Sequence, residues 1–186
     1  TYKTYDGTTG TLIKSQTFIV SDTTGDKSYV DGVEVDGLKC VSEIRYDYDQ
    51  AGRLWRTRQL SSPGGTTDNT NDKITLTVYG DDGSVTKTVA KGVGKTDDDD
   101  IETGDIVTTN NYDDHGRISY TVDAGNYITY YTYTKLGQRE KVYRDYDSSM
   151  DTTETGVTTE TFGTGHPLDG ETLLLVSTTE YDDAGR

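Results

Sequence analysis

This chain has almost none of the residues that usually carry chemistry or staple a small fold. It has one cysteine, Cys40, and so cannot form an internal disulfide. Its two histidines, His115 and His166, lie far apart in sequence, and with one cysteine they make no recognisable zinc spacing. No Gly-x-Ser-x-Gly elbow is present to support nucleophilic catalysis. Lys and Arg total 18 against 33 Asp and Glu, leaving a net charge of −15 that argues against nucleic acid or an anionic membrane surface as partner. No apolar run is long enough to span a bilayer, so no membrane insertion is expected. Only two prolines occur, Pro63 and Pro167, both in Gly-containing stretches that read as loops. No apolar spacing of three and four is sustained between caps, so no helix is expected. There is no signal peptide and no initial Met, which reads as a mature product or an excerpt of something longer.

Fifteen tyrosines stand against that background. Hydrophobic content is only 30%, a balance that with this charge leans toward disorder. Tyr buries a large ring and keeps a polar tip, so hydropathy undercounts the core a Tyr-rich chain can build. The expectation is an ordered all-β protein packed largely by Tyr and Thr.

Strands read off readily. Residues 11–20 are β-forming, and 28–35 carry Asp31-Gly32 between β-formers, the signature of a two-residue hairpin, with Asp36-Gly37 turning the chain again. In the next strand Leu38, Cys40, Ile44, Tyr46 and Tyr48 share one face, while Lys39, Glu43, Arg45, Asp47 and Asp49 share the other. That alternation predicts one buried face and one wet face. Further strands follow at 54–57, 74–79, 85–89, 118–122, 127–133 and 173–181, with a turn at Asp123–Asn126. The stretch 127–133 has large residues on both faces, which predicts burial on both. Polar insertion loops are expected near 61–72, 91–105 and 147–170.

One unit recurs through these strands. Tyr48-Asp49-Gln50-Ala51-Gly52-Arg53 returns as Tyr112-Asp113-Asp114-His115-Gly116-Arg117 and as Tyr181-Asp182-Asp183-Ala184-Gly185-Arg186. Weaker copies begin at Tyr79 and Tyr133. Gly52, Gly116 and Gly185 would supply the positive φ that closes each turn, and Asp49, Asp113 and Asp182 can bond the turn backbone. Arg53, Arg117 and Arg186 can lie across neighbouring rings or pair with a turn Asp. Such recurrence points to an array, here one repeating module over 1–186.

These Tyr-Asp-x-x-Gly-Arg units resemble the YD repeats of Rhs proteins, teneurins and toxin cocoons. The resemblance implies hairpins laid side by side into a spiralling, β-solenoid-like sheet, secreted or exported, often walling a large cavity. It implies no enzymatic activity and no cofactor for the repeats themselves. The spacings between motif tyrosines are uneven, so the insertions are expected to decorate a surface.

The chain stops on a complete motif and starts with Thr1-Tyr2-Lys3-Thr4-Tyr5-Asp6, read as a returning strand. Joined head to tail, Arg186 and Thr1 would complete a repeat, which leads to an extracellular fibre whose partner is the chain itself. The alternative is a wall segment of a shell that encloses a toxin or serves in adhesion. A carbohydrate-binding adhesin is a third reading, and it needs Trp55 and the Tyr rings exposed together. Asp68 and Asp72, and Asp97, Asp99 and Glu102 with Asp105, offer clustered oxygens that suit Ca²⁺, against the plainer reading of solvated acidic runs. Thr-rich stretches near 66–70 and 152–161 could carry O-linked sugars, while no Asn-x-Ser/Thr sequon occurs.

Overall fold

The computed structural model describes residues 1–20, 27–30, 33–36, 38–68, 71–92, 100–145 and 158–182. The expected turn residues Asp31, Gly32 and Gly37, the calcium candidates Asp97 and Asp99, and Gly185 and Arg186 lie outside the described residues. Among those described there is no helix. The chain is all-β, a β-solenoid-like stack of antiparallel hairpins set edge to edge, and it divides into two compact units, Thr1–Val107 and Thr108–Arg186.

In the first unit β1 (Tyr2–Tyr5), β2 (Leu12–Val20), β5 (Leu38–Tyr48), β6 (Leu54–Gln59), β7 (Lys73–Tyr79) and β8 (Val85–Ala90) are neighbours in that order. A small separate hairpin of β3 (Lys27–Val30) and β4 (Val33–Asp36) lies between β2 and β5 in sequence, with Val30 opposite Val33. The second unit takes in most of β9 (Ile106–Tyr112), then β10 (Ile118–Val122), β11 (Ile128–Tyr133), β12 (Arg139–Asp145), β13 (Thr159–Thr161) and β14 (Thr172–Thr178). There the order is β9-β10-β11-β12-β14-β13.

Each unit has its own apolar centre. In the first, Ile74, Leu76 and Val89 are buried with Trp55 and Val107 against them. In the second, Tyr143, Phe162, Leu168 and Leu173 are buried, flanked by Tyr120, Ile128, Tyr130 and Leu175. Two of these, Phe162 and Leu168, come from the stretch expected to be a polar loop. That stretch instead contributes β13 and an apolar cap. The His166 ring stacks on Phe162 at 4.4 Å, and its Nε2 lies 3.1 Å from the Tyr130 hydroxyl.

The buried-face, wet-face division expected of β5 is also not what the strand shows. Glu43, on the supposedly wet face, is 1% exposed, whereas Ile44, Tyr46 and Tyr48 are only half-buried. Donors from β2, from β5 itself and from the loop after β6 converge on Glu43, as a buried carboxylate requires. Gln16 Nε2 donates to Glu43 at 2.8 Å, the Gly64 N–H at 2.9 Å and Arg45 Nε at 2.8 Å. Alternation reports which residues share a face, not what the rest of the chain lays over that face. For 127–133 the expectation of burial on both faces is softened: β11 is half-buried throughout, and Tyr127 before it is exposed.

Two insertion loops are closed at their bases by the same device. Asp72 stands just before β7, and its side chain is 0% exposed against Arg58 at 3%. Its carboxylate accepts the Ser61 N–H and hydroxyl, the Asp68 N–H at 2.8 Å and Arg58 Nη1 at 3.3 Å. Asp105, just before β9, accepts the Gly92 N–H at 2.8 Å and the Glu102 N–H at 2.9 Å, with Lys91 Nζ at 3.1 Å. In each case a buried cation from the end of one strand meets an Asp at the start of the next. The Asp ties down the entrance and exit of the loop between them.

Burial pushes both carboxyls up, but the N–H donors and the cation outweigh it and hold each below the ordinary carboxylate value. A carboxyl depressed on folding stabilises the fold fully above its unfolded value, near pH 4, and that stability is lost as pH falls through the lowered value. Denaturant unfolding should therefore show stability falling below about pH 4. Asp72→Ala at neutral pH should cost roughly 3 kcal/mol, because it removes a buried partner of the Arg58 charge and the acceptor of the loop N–H groups. Asp72→Ala should also flatten the acid limb, and an unchanged limb would show that the clasp is not the titrating element.

Candidate functional site: the joint between hairpins

The recurring motif forms a turn with a defined backbone. The Asp49 N–H donates to the Arg53 carbonyl and the Gly52 N–H to the Asp49 carbonyl, both at 2.9 Å. Gly52 sits at φ 77°, the left-handed residue that follows a type I turn in a three-residue hairpin loop. Asp113–Arg117 repeats this, with Gly116 at φ 73°. A side chain would strain these two positions.

The Asp side chain braces the turn from within. Asp49 Oδ1 accepts the N–H groups of Ala51 and Arg53 at 2.9 Å each, and Asp113 Oδ1 accepts those of His115 and Arg117. The N–H donated by Arg53 is the main reason the Asp49 carboxyl lies below its ordinary value. At Asp113 burial works upward and is outweighed by the Arg117 side chain and the turn N–H groups. His115 is an exposed turn residue.

The two degenerate copies keep the backbone and change the brace. At Gly80–Ser84 the pair Gly80 N–H to Ser84 O and Gly83 N–H to Gly80 O is retained, and Asp82 takes the bracing role toward Ser84. At Thr134–Gln138 the Thr134 hydroxyl accepts the Gln138 N–H at 3.2 Å. A turn of the same pattern at Asp123–Tyr127, joining β10 to β11, uses Asn126 at φ 64° in place of Gly.

What the motif does beyond turning lies in the Tyr and the Arg. The Tyr79 hydroxyl donates to the Leu54 carbonyl at 2.8 Å, Tyr133 to Ile118 at 2.7 Å and Tyr181 to Arg139 at 2.9 Å. In each case the acceptor lies six residues after the Tyr of the preceding motif, at the first position of its returning strand. Each acceptor residue also sits opposite its own motif Tyr, with a bulge beside it: Tyr48 opposes Leu54, Tyr112 opposes Ile118 and Tyr133 opposes Arg139. A bulge bends its strand and re-aims local groups. Here it accompanies a carbonyl bonded to the next hairpin.

The Arg adds a second link. Arg53 lies 4.4 Å over the Tyr79 ring, and Arg117 lies 4.3 Å over Tyr133. Each stays bound to its own Asp, Arg53 Nε to Asp49 at 2.7 Å and Arg117 Nε to Asp113 at 2.8 Å. The guanidinium therefore pairs with its own turn and covers the next motif's ring at the same time. The sequence pattern allows either role, and the structure uses both.

Tyr48 extends the series upstream and exposes a copy that sequence reading missed. Its hydroxyl donates to the Leu12 carbonyl at 3.0 Å, and Leu12 opposes Tyr5. Tyr5-Asp6 opens a turn one residue longer than the others, with Gly10 at φ 69° and Asp6 Oδ1 accepting the Thr8 and Thr9 N–H groups. The signal was present in Tyr5-Asp6 followed by Gly10, but the added residue hid the period. β1 therefore runs into a turn. The reading of Thr1–Asp6 as a returning strand is corrected: it is the leading strand of its hairpin.

The remaining candidates fall elsewhere. Asp182 is exposed beside Tyr181. Asp68 accepts Asn71 Nδ2 at 2.8 Å, Asp72 is surrounded by the donors described above, and Glu102 is 4.0 Å from Lys91. Among the described residues no group of three or more His, Cys, Asp or Glu is placed to hold a metal ion, and no helix is long and apolar enough to cross a membrane. Tyr48, Trp55 and Tyr79 line one open groove of about 560 Å³. These rings are half-buried, with Arg56 at 4.8 Å over Trp55 and Arg53 over Tyr79. This is not the set of jointly exposed rings that the adhesin reading requires.

No family model matches the chain, and no curated protein matches it significantly. Among solved structures it is similar to the crystal structure of TcdB2-TccC3-Cdc42, at 18% identity and a TM-score of 0.48. That similarity covers 75% of this chain and 6% of the other.

The joint predicts a coupling. In a double-mutant cycle on unfolding free energy, Arg53→Ala and Tyr79→Leu should couple by about 0.5–1 kcal/mol. Arg53→Ala with Lys87→Ala, which share no contact, should be additive. Additivity of the first pair would remove the Arg from the joint.

Proposed function

We propose that this chain is a structural, non-enzymatic wall segment of an exported YD-repeat protein, a stack of hairpins that encloses or supports rather than converts. The observation that supports this is the commitment of the motif's groups. The Tyr hydroxyl goes to the preceding hairpin, the Asp carboxylate to its own turn, and the Arg to that Asp and the next Tyr ring. Few polar groups of the motif are left over for a substrate. Its partner in this reading is more of the same repeat, and the net charge of −15 keeps such a surface soluble and away from nucleic acid. The expectation of an extracellular setting travels with the resemblance to exported YD-repeat proteins.

The fibre made by placing Thr1 directly after Arg186 has less support. In each unit, strands that run into a motif turn alternate with strands that leave one, up to β14, whose outer edge is taken by β13. β1 runs into the Asp6 turn, and β14 runs toward Tyr181-Asp182. Abutting them would set two leading strands in succession, with no returning strand between. Negative-stain microscopy of the concentrated chain at neutral pH should accordingly show no filaments. Filaments with one chain per axial step would restore the head-to-tail reading and remove this one.

A further inference from the structure

The two loop clasps differ in their cation. At the first loop it is Arg58, whose guanidinium keeps its proton and is no nucleophile. At the second it is Lys91, and a lysine amine becomes a nucleophile once it gives up a proton.

Lys91 follows β8, and its N–H bonds the Ile74 carbonyl at 2.9 Å, which continues the ladder past Ala90. It stands two residues after Val89, and Asp105 stands two before Val107, both valines of the first unit's apolar centre. Alternate positions share a face, so the pair extends that apolar face. The Lys91 side chain is 1% exposed and that of Asp105 0%. Lys91 Nζ lies 3.1 Å from Asp105 Oδ2 and 4.0 Å from the buried Oε2 of Glu102, and it donates to the Asp100 carbonyl at 2.6 Å. The Asp105 carboxylate is held on both oxygens, Oδ1 by the Gly92 N–H and Oδ2 by the Glu102 N–H. An amine and a carboxyl in contact out of water, with a second carboxyl beside them and N–H donors on the oxygens, are the parts that amide formation needs.

We propose that Lys91 and Asp105 condense into an isopeptide bond that ties the end of β8 to the start of β9, with Glu102 carrying a proton from the nitrogen to the leaving oxygen. The ion pair is the resting form. Burial works toward the protonated Asp105 carboxyl, although the N–H donors and Lys91 outweigh it at rest. The reactive form is the tautomer in which a proton has passed from Nζ to Oδ2. The Nζ lone pair then adds to Cγ, and the charge that collects on Oδ1 meets the Gly92 N–H, as in an oxyanion hole. The Glu102 carboxylate takes a proton from the nitrogen and delivers it to Oδ2. The Cγ–Oδ2 bond breaks and Oδ2 leaves as water. An ammonium and a carboxylate become an amide and one water, with no oxidant, activator or outside reactant. Fixed contact supplies the effective concentration that a solvated Lys–Asp pair lacks. The bond closes the loop at its base, so a chain cut within 92–104 stays joined there.

The full chain, purified and held for days at neutral pH, should have an intact mass one water below that of its sequence. Trypsin should fail to cut after Lys91 and should release 88–95 joined to 96–117, with fragmentation placing the bond between Lys91 and Asp105. Lys91→Arg and Asp105→Ala should keep their full mass. The Glu102 side chain is 31% exposed, so Glu102→Gln should match the unaltered chain in circular dichroism. It should nevertheless lose its water about a hundredfold more slowly.

An unaltered chain that keeps its full mass would overturn the proposal. So would a water lost without the joined peptides, which is succinimide formation at an Asp-Gly pair such as Asp82-Gly83. A bond from Lys91 to Glu102 would overturn the choice of Asp105, and an unchanged rate in Glu102→Gln would overturn the proton-carrying role.

Discussion

The hydroxyls of the motif tyrosines Tyr48, Tyr79, Tyr133 and Tyr181 must each meet an acceptor, and that acceptor is on the neighbouring hairpin. This requirement links the levels of the structure. The turn must bring the chain back so that the residue six places after the Tyr, or seven at the longer Asp6 turn, lies opposite it. The bulge accompanies the use of that residue's carbonyl by the next hairpin, and the next Tyr must then arrive in register to use it. A slip of one residue would move every side chain of a strand to the other face and separate hydroxyl from carbonyl. The joint therefore fixes register where alternation of apolar residues alone is weak, as in these Thr-rich and Tyr-rich strands.

The same logic explains why insertions are tolerated between motifs. The joint constrains the turn end of each hairpin and leaves the opposite end free to carry loops. Long loops cost little extra closure entropy but need their backbone groups satisfied where they meet the sheet. Asp72 with Arg58, and Asp105 with Lys91, meet that need at two loop bases. The stretch 158–170 is held differently, by Phe162 and Leu168 in the core and by His166 between Phe162 and Tyr130. Insertions can thus change in length while the stack keeps its spacing.

Much of this was legible in the sequence, and the losses have physical causes. Most strand positions, Gly52 and Gly116 as turn residues and the absence of helix among the described residues follow from short-range pattern, because the motif repeats its own local chemistry. Burial was harder to read. Glu43 looks like a solvent-facing charge until Gln16 and Gly64, both distant in sequence, meet it. Asp72 reads as one oxygen of a calcium cluster until Ser61, Asp68 and Arg58 are seen around it. The first motif was hidden by a single added residue in its turn, and with it the polarity of β1. The identity of the joint was not accessible at all, since its acceptors are backbone carbonyls of residues as different as Leu54, Ile118 and Arg139.

The central claim is that the motif tyrosines hold hairpins together through their hydroxyls. The direct measurement is the unfolding free energy of a chain with Tyr48, Tyr79, Tyr133 and Tyr181 all changed to Phe. Its control carries the same change at Tyr46, Tyr120, Tyr127 and Tyr131, whose hydroxyls make no hydrogen bond among the described residues. Removing the four joint hydroxyls should cost roughly 2–5 kcal/mol, with the control close to the unaltered chain. Equal stability of the two variants would contradict the account.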